Sequence, residues 1–134
     1  MEDALRTSIV VAALIVAFLA LPARAASNAD PVEPAFPSEL QGVWDVHPWP
    51  CSASEPSDSD MRFLIEDGKR RNYEDDDALA SIEQIADAPR VWRVVSTSSL
   101  DPAQAHLEAR IYVLAGDRLT VADDQRTEVY VRCE

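Results

Sequence analysis

From Glu39 to the C-terminal end of the chain, apolar side chains recur at every second position, and turn signals fall about every ten residues. That period belongs to extended chain, in which successive side chains point to opposite faces. The clearest run is Leu107, Ala109, Ile111 and Val113, with Glu108, Arg110 and Tyr112 between them. Ala115-Gly116-Asp117 turns the chain into Leu119 and Val121, and Asp123 to Arg126 turns it again into Val129, Val131 and Cys133. Three strands joined in this way predict a β-meander.

The same pattern appears upstream. Met61, Phe63 and Ile65 alternate with Arg62, Leu64 and Glu66, and Asp67-Gly68 is a hairpin signal leading to a returning strand over Arg70 to Tyr73. Val91, Trp92, Val94 and Val95 form a strand apolar on both faces, interrupted by Arg93. Residues 75–87, DDDALASIEQIAD, support two readings. Leu79, Ile82 and Ala86 are spaced as on a helix, with Asp77 as its N-cap, whereas the strands on both sides call for another strand. Context makes strand the expectation. The fold class that follows is all-β, a small antiparallel up-and-down β-barrel of about eight short strands, with a small sandwich as the other architecture of this content. Closure removes the unpaired edges that endanger an exported β protein, so the barrel is preferred.

Ahead of the strands, Ile9 to Leu21 is an uncharged apolar run between Arg6 and Pro22, followed by Ala23-Arg24-Ala25. The run is shorter than the ~20 residues needed to cross a bilayer, and the two alanines supply an A-x-A cleavage site. Residues 1–25 are therefore expected to be a signal peptide, although Glu2 and Asp3 are unusual before such a run. Residues 26–38 hold Pro31, Pro34 and Pro37 with few large apolar groups, which predicts a disordered proline-rich tail. The barrel domain is then 39–134, destined for the periplasm or for secretion, with no membrane insertion after cleavage.

Cys51 and Cys133 are the two cysteines, near the two ends of that domain. In an oxidising compartment such a pair forms one disulfide, and a loop this long would stabilise the fold by about 4.5 kcal/mol on the chain-entropy model. No C-x-x-C spacing is present, so a thiolate metal site is not expected. The formal charge is −12, and it is unchanged by removal of residues 1–25 because Glu2 and Asp3 offset Arg6 and Arg24. An acidic surface repels phosphate backbones, which excludes nucleic acid as a natural partner.

One short stretch concentrates unusual residues: QGVWDVHPWPC, residues 41–51. On a strand over Val43 to His47, Trp44 and Val46 share the core face while Asp45 and His47 share the other. Pro48 and Pro50 stop the strand and turn Cys51 toward the last one, where Val131 and Cys133 share a face and Arg132 lies on the opposite side. Gly42-Val43-Trp44 together with Arg132 resembles the end-closure signature of lipocalin-like (calycin) barrels. That resemblance implies that Arg132 packs over Trp44, a cation–π contact of about 0.5–2 kcal/mol. The layout is also similar to short exported β proteins of Gram-negative bacteria and, more distantly, to the periplasmic metalloprotease inhibitors built on an eight-stranded barrel.

Catalytic signals are sparse. His47 and His106 are the two histidines, and Ser96 to Ser99 lies in no G-x-S-x-G setting that would activate a hydroxyl. Glu74 to Asp77 and Asp123-Asp124 match no calcium-loop spacing and read as solvated turns. Arg93 reads as an outer-face residue with its stem along the sheet, the alternative being a pocket wall. Trp49, held between prolines, and His47 are the candidate partner contacts, with burial of Trp49 as an end plug as the other reading. The expected function is a monomeric, non-catalytic exported binding module without cofactor or metal, its partner an unknown protein or small molecule. A protease inhibitor that inserts residues 26–38 into its target is one version, and a structural envelope protein without a soluble ligand is the alternative. Short strands in a barrel of about eight also predict an interior filled by side chains, with no room for a large ligand.

Overall fold

The computed structural model describes residues 31–48, 50–98, 103 and 105–134; the expected signal peptide and Trp49 lie outside them. Eight strands follow in order: β1 (Gly42–Val46), β2 (Phe63–Glu66), β3 (Lys69–Arg71), β4 (Asp76–Asp87), β5 (Arg90–Ser98), β6 (Leu107–Ala115), β7 (Arg118–Ala122) and β8 (Thr127–Arg132). Each pairs antiparallel with its neighbour in sequence, and β8 returns to β1, so the sheet is a closed barrel. The seam pairs Trp44 with Arg132, Asp45 with Val131 and Val46 with Tyr130.

Residues 76–87 are strand, and the structure explains why their spacing looks helical. The β4–β5 register slips between Leu79 and Ser81 and again between Gln84 and Ala86. Each slip inserts one unpaired residue, so inward positions that would be two apart become three apart across the bulge. Leu79 and Ile82 therefore face the core from either side of a bulge, although their spacing is that of a helix face.

The core holds Trp44, Phe63, Ile65, Trp92, Val94, Tyr112, Leu119 and Tyr130, with Phe36 and Leu40 from the segment before β1. Phe36 falls within the stretch expected to be a tail, yet it is 3% exposed, and its amide donates to the Asp67 carbonyl at 2.7 Å. Pro31 to Ala35 are exposed.

Two strands bury the face opposite to their aliphatic stripe. On β6, Tyr112 and Leu114 are buried while Leu107 is 66% exposed; on β8, Tyr130 is buried while Val129 is 37% exposed. A narrow barrel needs few large side chains inside, and three tryptophan or tyrosine rings from β5, β6 and β8 occupy much of that space. Arg93 on β5 is exposed on the outer face, as its position between apolar neighbours suggests.

Cys51 and Cys133 form a disulfide, 82 residues apart in sequence and 4.8 Å between Cα atoms. Such a bond fits a non-reducing environment. Beside it, Ala53 N donates to Glu134 O at 2.8 Å and Glu134 N to Cys51 O at 3.3 Å, which ties the long β1–β2 connection to the end of the chain. The same connection crosses the outer face of β1: buried Asp45 accepts the Ser59 hydroxyl at 2.6 Å and the Ser57 hydroxyl at 3.3 Å. Reduction should lower the unfolding free energy by about 3–4.5 kcal/mol, measured by urea titration with and without a phosphine reductant, with both forms starting from the same far-ultraviolet spectrum.

Candidate functional site

The two ends of the barrel differ in chemistry. At one end lie the 67–68, 88–89 and 116–117 turns and the segment before β1; at the other lie the 47–62, 72–75 and 123–126 connections.

The first end is shut. The Arg132 guanidinium lies 4.2 Å from the centroid of the Trp44 ring, as the lipocalin-like signature implies. It donates from Nη1 to the Gln41 carbonyl at 2.7 Å and from Nη2 to the Glu39 carbonyl. Trp44 Nε1 donates to the Leu40 carbonyl at 2.9 Å, so the indole and the guanidinium stacked on it both hold the entering chain. Gly42 has φ +120°, and a Cβ there would stand 3.1 Å from Arg132 Nη1. Glycine is required by both the backbone and the approaching guanidinium. Gly42, Trp44 and Arg132 thus meet, and Phe36 and Leu40 complete the plug.

The second end is open. A cavity of about 500 Å³ there is bordered by side chains of β3, β4, β5, β6 and β8 and by the loops around them. This cleft opens to solvent, and the inward positions that line it are polar where those at the other end are apolar. Arg70 and Arg110 both reach this space, but their surroundings differ. Arg110 donates to Asp77 Oδ2 at 2.6 Å and to Glu108. Burial works against its charge, and the Asp77 carboxylate more than compensates, so its pKa is raised. Arg70 lies 3.9 Å above the Phe63 ring and donates to Asn72 Oδ1 at 2.8 Å and to the Tyr112 hydroxyl at 3.1 Å. Burial again opposes the charge, and here phenols rather than carboxylates outweigh it.

Around these cations runs a hydrogen-bonded shell. Asn72 Nδ2 donates to Asp75 at 3.2 Å and to Asp77 at 3.4 Å, and Ser98 Oγ donates to Asp75 at 2.7 Å. His106 stands on the rim, 2.8 Å from Glu108. Burial raises the Tyr130 phenol above its ordinary pKa, against the pull of nearby Arg70. Among the described residues, no three histidine, cysteine or carboxylate side chains converge as a metal site.

The acidic turn at 74–77 is thus not wholly solvated: Asp77 is buried inside the barrel, where the sequence offered it as a helix cap. His47 is exposed at the end of β1, with its amide donating to Val129 O at 2.9 Å, on the open side of the barrel. The polar set of Arg70, Asp77, Arg110, Tyr112 and Tyr130 was not singled out by sequence reasoning. Its one available signal is a charged or phenolic residue at an alternating position of each of several strands, which becomes a cluster only through register. No family model, curated protein or solved structure matches the chain.

Two variants test the closed end and one the open end. Replacing Arg132 with Met removes the ring contact and leaves two carbonyls short of a donor, a loss of about 2–4 kcal/mol by urea unfolding, and Gly42→Ala should cost about 1–3 kcal/mol. Because the Tyr130 proton is held more tightly when folded, its contribution is complete below the ordinary tyrosine value of about 10 and is lost as pH rises through the folded pKa. Tyr130→Phe should flatten that alkaline decline in the urea midpoint.

Proposed function

We propose that this chain is a non-catalytic, exported binding module, periplasmic or secreted, that works as a monomer and receives a small ligand at the open end of its barrel. The observation that carries this reading is the asymmetry of the two ends: one sealed by Trp44, Arg132 and Phe36, the other a polar cavity of about 500 Å³. A protein whose role was only structural has no need of a cavity lined by committed polar side chains, because an apolar filling would stabilise it more. The lipocalin-like closure at Gly42, Trp44 and Arg132 is consistent with a barrel that holds something inside.

The absence of catalysis in this reading rests on how the hydroxyls and carboxylates are used. Ser98 donates to Asp75, Tyr112 accepts from Arg70, and His106 pairs with Glu108. Among the described residues, the hydroxyl–carboxylate pairs, Ser98 with Asp75 and Ser59 with Asp45, include no histidine that would complete a nucleophile–base relay. Native mass spectrometry of protein recovered from its own exported fraction should show the oxidised chain with a low-mass compound bound. Ligand-free protein that cross-links in intact cells to one stable envelope neighbour would favour the structural alternative instead.

A further inference from the structure

The cavity contains a cation whose counter-charge is missing. Among the described residues, no carboxylate comes within ion-pair distance of Arg70, whereas Arg110, on the same interior face, holds two. The hydrogen bonds of Arg70 go to neutral oxygens, those of Asn72 and Tyr112, and Tyr130 adds a second phenol beside it. Arg110 also bears on it as a like charge. Removing a cation from water without an anion is expensive, and this fold fixes the guanidinium in place by stacking it on Phe63. A guanidinium has five N–H donors, more than Asn72, Tyr112 and Tyr130 use, and a carboxylate is the acceptor that matches both its remaining donors and its charge.

The mouth carries more negative than positive charge: the exposed Arg126 there stands 4.0 Å from Asp123, and three further carboxylates face the opening. Asp60, Glu74 and Asp75 stand on the connections that border the opening, and Asp60 and Glu74 make no ion pair among the described residues. A polyanion such as a nucleotide would have to pass these carboxylates, on a chain of net charge −12. A simple cation would find the inner carboxylate, Asp77, already held by Arg110. Only a molecule that bears both charges satisfies the inner guanidinium and the outer acids together. The cavity volume of about 500 Å³ suits a small organic compound and excludes a folded polypeptide.

From this distribution of charge we infer that the open end binds a small zwitterion, of amino-acid to dipeptide size, with its carboxylate on Arg70 and its cationic group toward Asp60, Glu74 and Asp75. The inference rests on the reading of the open end as a ligand site, and it names the class of ligand.

The test is isothermal titration calorimetry of the full oxidised domain with L-phenylalanine, L-leucine and glycyl-L-leucine, against L-leucinamide, which lacks the carboxylate, and N-acetyl-L-leucine, which lacks the cation. At least one zwitterion should bind, with both blocked compounds ten-fold or more weaker. Arg70→Met should weaken that binding at least ten-fold, and Arg70→Lys less. The surface pair Asp60→Asn with Glu74→Gln lies outside the core; it should weaken the zwitterion several-fold and improve N-acetyl-L-leucine, which gives a readout even if Arg70→Met does not fold. Equal binding of N-acetyl-L-leucine and the zwitterions, or no binding by any of the five, overturns the inference. If protein from its own compartment carries a low-mass compound without paired charges, the zwitterion is wrong while the ligand site stands; if it carries none, both readings fall.

Discussion

A barrel of eight strands taken in sequence order has one seam that no hairpin makes, and here the seam between β1 and β8 decides the architecture. Seven of the eight pairings join strands consecutive in the chain; the eighth brings Val46 to Tyr130 and Trp44 to Arg132 across almost the whole domain. Loop-closure entropy opposes such a contact, so something must hold it. Three devices do so at nearly one place. Sulfur joins Cys51 to Cys133, a guanidinium clamps the carbonyls of Glu39 and Gln41, and the indole of Trp44 lies under that guanidinium. Because all three seal the same end or its flank, the other end is left free to depart from core chemistry.

That division organises the interior. Toward the sealed end, Leu40, Trp44, Trp92 and Leu119 are almost inaccessible to solvent, and the packing is apolar. Toward the open end the inward positions pass to Arg70, Asp77, Ser98 and Arg110, which are linked through Asn72 and Asp75: Asn72 accepts from Arg70 and donates to Asp75 and Asp77, Ser98 donates to Asp75, and Arg110 donates to Asp77. Aromatic residues form the boundary. Tyr112 stacks on Phe36 below it, with ring centroids 6.3 Å apart, and accepts from Arg70 on its other side, so one side chain joins the apolar floor to the polar chamber. Tyr130 does the same, meeting the Phe63 ring edge-on at 4.7 Å while its hydroxyl adjoins the cavity.

Much of the first half of this arrangement was legible in the sequence. Period-two alternation and tight turns located the strands, the cysteine spacing paired the chain ends, and the Gly42-Val43-Trp44 and Arg132 signals marked the seal. What the sequence concealed has physical causes. Bulges in β4 stretched the spacing of Leu79 and Ile82 to that of a helix. On β6 and β8 the aliphatic stripe faces outward, since alternation reveals that two faces exist and not which one closes inward. Phe36 sits in a proline-rich stretch whose composition suggests a spacer, yet its ring is part of the floor. The cavity residues lie scattered from Arg70 to Tyr130, one or two to a strand, and each reads alone as a surface charge or a core tyrosine until cross-strand register assembles them.

The seam itself admits a direct measurement by native-state hydrogen exchange followed by nuclear magnetic resonance. Two amides report on it: His47 N, which donates to Val129 O, and Cys133 N, which donates to Val43 O, each at 2.9 Å. In the oxidised protein both should exchange only through global unfolding, as slowly as amides in the centre of the β5–β6 pair. Exchange of His47 and Cys133 at the rate of the exposed turns, with the β5–β6 amides still protected, would mean that the sheet is open between its first and last strands.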